Sequence, residues 1–351
     1  MVQIKKEFII IITFFIIGVT LYLLIPLESF QLNKTQPENK VTESPTRYSP
    51  KQTENPVKEE QPTTTPTATS KRIEKKTNGP VYYLKEVEGL NNDGLRSEFA
   101  YSFYITKDNY LCAALITANN IRKWSTNDIV VHLIEYQYNE VIMKNFMDIP
   151  NVYFRFVKNV LPKNGNMGST WEQTWNKFYV FKLIDYKRVV HLDADTYLLK
   201  SLDHLFELPD ATLALPRAYW LGQPFATSLL MVIKPSYKLY DDIISYGNKH
   251  NSGNSWDMDI INDMFKNSPD FIMLPGIYGL LHGEFSTRER HWLGDDYFAT
   301  WEKAPLFHWS TWKPWNEHEN SANVISYGDL YKKTWTLWND GLFGSAEYKF
   351  K

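Results

Sequence analysis

The chain has a single cysteine, Cys112, among 351 residues. No intrachain disulfide can form, so oxidation does not staple the fold. The thiol sits in the apolar stretch Leu111-Cys112-Ala113-Ala114-Leu115, which reads as buried and structural. Net charge is equally scarce: 38 Lys and Arg against 40 Asp and Glu leave −2. That balance argues against a dedicated nucleic-acid binder, whose phosphate contacts need a basic surface. No repeat of fixed period is apparent. Large apolar residues are nearly missing from 26–79, which is rich in Thr, Pro, Glu, Lys and Asn. Such a segment cannot bury enough surface to offset the entropy of ordering, so it reads as a disordered, Thr/Pro-rich stalk. Asn33-Lys34-Thr35 within it is a glycosylation sequon if this side is luminal.

One uninterrupted apolar run is present. Phe8 to Ile25 carries no charge over 18 residues and would span about 27 Å as a helix, enough for a thin bilayer. Lys5 and Lys6 precede it, which places residues 1–7 in the cytoplasm. Pro26-Leu27-Glu28 follows it where a signal peptidase would need small residues. The sequence therefore predicts a signal anchor over 8–25 and a luminal globular domain over 80–351.

Within that domain, apolar stretches alternate in period. Strands are expected at 99–106, 128–133, 152–157, 188–192, 212–215 and 228–233. Helices are expected at 110–123, 171–183, 237–249 and 259–265. Strands alternating with helices predict an α/β fold, a mainly parallel sheet covered on both faces. The last 50 or so residues, dense in Trp, give no assignable elements.

The strand Arg188-Val189-Val190-His191-Leu192 ends in Asp193-Ala194-Asp195. Two carboxylates one residue apart repel and resist burial, unless a cation sits between them or one does chemistry. The C-terminal edge of a parallel sheet is where open α/β folds bind ligands. An ordinary solvated acidic turn is the alternative. Downstream, His308 in Leu306-Phe307-His308-Trp309 is a possible third ligand, and Asp-Asp-His suits Mn²⁺ or Mg²⁺ completed by phosphate oxygens. A packed core histidine is the other reading. Lys313 in Lys313-Pro314-Trp315 could stabilise charge on a leaving diphosphate. Lys177, between Asn176 and Phe178, is a second inward cation or else a snorkelling surface lysine. Asp257 and Asp259 stand before a helical run, as caps or as hydroxyl ligands of a sugar.

Taken in order, Thr106–Leu115, Trp175-Asn176-Lys177, Leu192–Phe206, Met231–Ser236, Trp256–Asn262 and His308–Trp315 resemble glycosyltransferase family 8, the glycogenin-like enzymes. The resemblance implies a GT-A, Rossmann-like fold and retaining transfer from a UDP-sugar with Mn²⁺ as the usual metal. It implies that Asp193, Asp195 and His308 hold the metal, and that Thr106 and Tyr110 line the uridine pocket. Lys177 would contact the donor, Lys313 the leaving diphosphate, and Asp257 the transferred sugar. Three departures stand out. Thr227-Ser228-Leu229 replaces Asn-Ser-Gly, and Met258 replaces Gln after the aspartate. The His308-to-Lys313 segment lacks its glycine and is one residue short.

With anchor and stalk, the chain is similar to fungal Golgi N-acetylglucosaminyltransferases acting on mannose-rich glycans. The expectation is a single-pass type II Golgi membrane enzyme moving GlcNAc to a mannose-containing acceptor. Two rival classes are a haloacid-dehalogenase-like phosphatase, with Gly294-Asp295-Asp296 as its later acidic motif, and a non-catalytic sugar-nucleotide or glycan-binding protein. The Trp309, Trp312 and Trp315 rings could stack on acceptor sugars or pack together.

Overall fold

The computed structural model describes residues 97–134, 138–163, 173–250, 255–310, 312–318 and 320–344. The expected cytoplasmic tail (1–7), anchor (8–25) and stalk (26–79) lie outside the described residues. Among the described residues, no helix is long and apolar enough to cross a membrane.

The centre of the fold is a seven-stranded sheet. Its strands are β1 (Phe99–Ile105), β2 (Asp128–Ile134), β3 (Val152–Val157), β4 (Arg188–Leu192), β6 (Leu213–Pro216), β7 (Leu230–Ile233) and β8 (Phe271–Leu274). A separate antiparallel pair joins β5 (Thr196–Leu198) to β9 (Leu306–His308). The large sheet runs β3-β2-β1-β4-β7-β6-β8. The first four strands are mutually parallel, β7 is antiparallel to both β4 and β6, and β6 runs parallel to β8. The sheet is therefore mixed but mainly parallel, flanked by helices, as the alternating pattern predicted.

Period-2 alternation divides the sheet between two cores. Tyr101, Phe103, Ile105, Val131, Leu133, Val190 and Leu192 enter one cluster, whereas Ala100, Val130 and Val189 enter the other. All seven residues of β2 are buried, as a strand covered on both faces requires. Helix α1 (Asp108–Ile121) packs beneath the first core through Leu111, Cys112, Leu115, Ala118 and Ile121. Ala113 and Ala114 let it lie close to the strands, and Cys112 is buried as expected. Parity also explains the polar residues. Ser102, paired with His191, and Tyr104, paired with His132, fall on the second face, where the sheet meets the segment Thr174–Lys182.

That segment is a 3-10 helix, not the α-helix expected over 171–183. Aromatic and β-branched residues (Trp175, Phe178, Val180, Phe181) all turn inward there. A tighter helix around a buried lysine brings more side chains to the same wall than a 3.6-residue turn would. The remaining helices are α2 (Glu140–Met147), α3 (Tyr237–His250), α4 (Asp257–Phe265), α5 (Tyr297–Lys303), α6 (Ala322–Ser326) and α7 (Asp329–Gly344). The Trp-rich tail thus supplies α7, which packs Trp335 and Trp338 inward. Sequence periodicity missed it because aromatic rings surround it on several sides.

Among the described residues three imidazoles are buried neutral: burial, then Lys177 and His132, holds His191 well below its ordinary range, and two more behave alike. His132 is pushed down to about 3 by burial, with Arg155 nearby adding to the effect. His282, in the short 3-10 turn His282–Phe285, is pushed down to about 3 by burial, then by His308 and Lys313. Its Nδ1 accepts from the Ser310 N–H, and Nε2 lies 2.7 Å from the Tyr331 hydroxyl. In the unfolded chain all three take up a proton below about pH 6.5. The folded state therefore loses stability as pH falls through that value, by about 1.4 kcal/mol per pH unit for each imidazole. Guanidinium melts at about pH 7.5 and about pH 5.8 should show a lower midpoint at the acidic value. Equal midpoints would mean that these rings are charged in the fold.

Candidate active site

The C-terminal ends of β1 and β4 lie side by side at the point where the strand order reverses, since β2 is on one side of β1 and β4 on the other. Open α/β sheets place their ligands there. Thr106 and Tyr110 leave the end of β1, and Asp193 and Asp195 leave the end of β4. The β4 alternation that sends Leu192 into the first core sends Asp193 toward the second face, where Lys177 waits on the 3-10 helix.

Lys177 is 3% exposed. Its ammonium lies 3.0 Å from Asp193 Oδ1 and 2.7 Å from Asp257 Oδ2. It also donates to the carbonyl and hydroxyl oxygens of Ser228, at 3.3 and 3.1 Å. Burial opposes its charge, but Asp193 and Asp257 outweigh that and hold the ammonium above its ordinary range. The inward reading of Lys177 is therefore the observed one.

Asp257 is likewise not a cap. The Asp259 carboxylate accepts the Trp256 N–H at 2.9 Å and closes the start of α4. Asp257 turns inward and accepts the Ser228 hydroxyl at 2.5 Å. Burial works against its charge, yet Lys177 holds its carboxyl below the usual range. The two aspartates of one short motif thus do both jobs that the sequence left open.

His308 is 113 residues from Asp195 in sequence. The antiparallel pairing of β5 with β9 sets Thr196 opposite His308, and the Trp309 N–H donates to the Asp195 carbonyl at 3.1 Å. This register brings His308 Nε2 to 3.1 Å from Asp195 Oδ1. Lys313 reaches Asp195 Oδ2 and also donates to the Trp309 carbonyl. Burial opposes the Asp195 charge, but Lys313 and His308 together hold its carboxyl far below the usual range. Asp193 goes the other way: burial raises it, only partly countered by Lys177.

The turn between these aspartates is itself clamped. Thr196 Oγ1 donates to the Asp193 carbonyl at 2.8 Å. The buried Thr117 hydroxyl on α1 donates to the Thr196 carbonyl at 2.6 Å, and Asn120 Oδ1 accepts the Leu198 N–H at 2.7 Å. Neither residue carried a sequence signal, because both sit in an ordinary amphipathic helix.

One ligand atom each from Asp193, Asp195 and His308 lie within 4.8 Å of one another. Two carboxylate oxygens and an imidazole nitrogen suit a divalent cation. Charge agrees: Asp193, Asp195 and Asp257 face Lys177 and Lys313, so one negative charge is left over. Asp193 Oδ1, buried, makes only the ionic contact with Lys177 and no hydrogen bond in the described residues. The residues present therefore fit a divalent metal.

Tyr110 packs edge-on against Trp315 at 5.0 Å, which ties the start of α1 to the segment carrying Lys313. Burial, then Asp195 and Asp193, push its hydroxyl above the ordinary range. Thr106, just past β1, is half-buried at the same edge. Trp309 packs against Phe307 and Trp338, Trp312 against Tyr327, and Trp315 against Trp338. Trp309 and Trp315 thus share one packed cluster through Trp338, and Trp312 packs in a separate one with Tyr327 and Tyr331. The acidic motif expected for a phosphatase is elsewhere: Asp296 caps α5, accepting the Ala299 N–H at 2.9 Å, and neither it nor Asp295 joins the ligand group.

A mainly parallel sheet thus carries an Asp-x-Asp at its switch point, with a distant histidine beside it and two lysines facing it, an arrangement suited to a divalent cation and a phosphate-bearing ligand. Residues 102–222 match the model of Glycosyl transferase family 8. The chain is 29% identical over 252 residues to "Glucose N-acetyltransferase 1" of Aspergillus fumigatus, covering 62% of this chain and 65% of that protein. It is 28% identical over 194 residues to "Glycogenin-1" of Caenorhabditis elegans, covering 52% of this chain and 43% of that protein. The chain thus spans less than two thirds of the length of these curated relatives. Among solved structures, the bifunctional glycosyltransferase WbbM in its apo form shares the fold, with a TM-score of 0.52 at 15% identity, over 71% of this chain and 50% of that one.

Proposed function

We propose that this chain is a metal-dependent, retaining glycosyltransferase that moves a sugar, N-acetylglucosamine, from a UDP-sugar to a mannose-containing glycan. The observation that carries the reading is the convergence of Asp193, Asp195 and His308 with Lys177, Asp257 and Lys313 at one strand edge. Bound there, Mn²⁺ or Mg²⁺ would act as a Lewis acid on the diphosphate, which lowers the barrier to its departure without a strong base. Asp193, Asp195 and His308 are the residues that would hold it.

The side chains then divide the remaining tasks. Lys313 is placed to clamp the leaving diphosphate electrostatically, since its ammonium already sits against Asp195. Lys177 partly offsets the burial of Asp193, holds Asp257 ionised and draws the two together, and its own charge faces the donor. Asp257, held ionised by Lys177 and the Ser228 hydroxyl, takes the hydroxyls of the transferred sugar. Thr106 and Tyr110 line the uridine pocket. With the apolar run at 8–25 as anchor, the enzyme is placed in the Golgi membrane as a single-pass type II protein with this domain luminal.

A donor screen tests the reading. UDP release should be fastest with UDP-GlcNAc compared with UDP-glucose and UDP-galactose. It should stop with chelator and return with Mn²⁺ or Mg²⁺. UDP binding without turnover on any donor would support a binding protein instead, and hydrolysis of phosphate monoesters would support a phosphatase.

A further inference from the structure

Three successive N–H groups at the end of β9 are each taken by a different part of the fold. The His308 N–H donates to the Leu280 carbonyl at 2.9 Å, and the Trp309 N–H to the Asp195 carbonyl at 3.1 Å. Both are backbone pairings, independent of side-chain identity. The third is different. The Ser310 N–H donates to Nδ1 of His282 at 3.2 Å, so a side chain sets the plane of the Trp309–Ser310 peptide. The carbonyl of that same peptide accepts the Lys313 ammonium, which also reaches Asp195 Oδ2. A peptide unit is rigid and planar. Imidazole on its N–H and ammonium on its carbonyl therefore fix one another's positions.

The ring can accept from Ser310 in one tautomer only. An Nδ1 that accepts a hydrogen bond carries no proton, so the neutral imidazole holds its hydrogen on Nε2. Nε2 lies 2.7 Å from the Tyr331 hydroxyl, whose oxygen accepts it. The His308 carbonyl also lies near the ring, but the Ser310 N–H is the group aimed at Nδ1. Tyr331, on α7, is fully buried and packs its ring against the imidazole at 4.8 Å. The same tyrosine meets Trp312, the residue before Lys313, edge-on at 6.5 Å. His282 is itself fully buried, and Leu281 before it bridges His308. The ring is thus held on both sides and aimed at Ser310. An apolar side chain of similar size would fill the space but leave the Ser310 N–H unpaired.

We propose that His282 is a positioning residue for the candidate active site. By accepting the Ser310 N–H it holds the Trp309–Ser310 peptide in the orientation that anchors Lys313 and keeps the segment from His308 to Lys313 in place against Asp195. It acts through that peptide and through neither donor nor metal directly. Its effect on metal binding rests on the proposed reading of His308 as a ligand; its effect on Lys313 does not.

Two measurements on the full-length chain test the proposal. In the first, without metal or UDP, acylation of each lysine by acetic anhydride is followed by mass spectrometry. Lys313 should react several-fold faster in His282→Leu than in wild type, while the exposed Lys238 on α3 should not change. His282→Asn places an amide oxygen near the position of Nδ1 and should restore the slow rate. Tyr331→Phe removes the acceptor for Nε2–H and should shift Lys313 in the same direction by less. If His282→Leu does not fold, the Tyr331→Phe shift decides. In the second, calorimetry with Mn²⁺ alone should give a dissociation constant raised about tenfold in His282→Leu and near wild type in His282→Asn. A protein that had only lost stability would bind less metal in total at an unchanged constant. Equal Lys313 rates in wild type, His282→Leu and Tyr331→Phe would overturn the proposal. So would His282→Asn behaving like His282→Leu, or an unchanged constant where wild type binds Mn²⁺. If the Lys313 rates move as expected while wild type binds neither Mn²⁺ nor UDP, the positioning role stands and the transferase reading fails.

Discussion

Asp195→Ala is expected to reduce UDP-sugar turnover by about 10³-fold or more while the domain stays folded. Asp195 is the one carboxylate that touches both distant partners, with His308 on Oδ1 and Lys313 on Oδ2. On the proposed reading, truncation removes a metal ligand and frees the diphosphate clamp in the same step. The fold should tolerate it. Lys313 keeps its bond to the Trp309 carbonyl, and β5–β9 pairing runs through backbone atoms. Three measurements check the expectation: UDP release, Mn²⁺ affinity by calorimetry, and the far-UV circular dichroism spectrum. Normal turnover in a folded Asp195→Ala protein would remove Asp195 from the metal site.

Lys177→Met should instead fail mainly as a folded protein. It leaves Asp193 and Asp257 facing each other in a buried place with no counter-charge. Breaking a buried ion pair from one side costs about 3–5 kcal/mol, because the remaining charge is uncompensated. A domain of this size should lose about 10 °C in Tm. The sign of the pH dependence follows. Without the lysine the two carboxyls are pushed above their unfolded values, so the folded state binds protons more readily. The variant's deficit should therefore shrink as pH falls toward about 5. Lys177→Met combined with Asp257→Asn removes one of the orphaned charges and should recover a large part of the Tm. A single variant as stable as wild type at every pH would mean that Lys177 does not neutralise the pair.

Much of this architecture was readable along the chain. The strands at β1, β2, β3 and β4, and helices α1 and α3, fall within a residue or two of their expected bounds, because each buries a face with a clear period. The short strands β5, β8 and β9 were not legible. Three or four residues contain too little of any period, and they exist because a partner strand is already in place. The Thr174–Lys182 segment shows the opposite failure: its helical character was visible, but its tighter winding depends on what packs around Lys177.

By itself the sequence determined the chemistry on offer: Asp193 and Asp195 at a strand end, a histidine and a lysine five residues apart near the C-terminus, and a lone thiol without redox use. Each was visible because residue type and local spacing suffice to show it. Which of these groups meet was decided only by tertiary structure. The Thr196–His308 register turns a separation of more than a hundred residues into 3.1 Å, and the strand parity of β4 aims Asp193 at Lys177. The buried Glu284 carboxylate accepts the Trp292 N–H at 3.1 Å and so fixes a tryptophan that the sequence left unremarked. Contacts of this kind depend on which backbone lies beside which, and no local pattern encodes that.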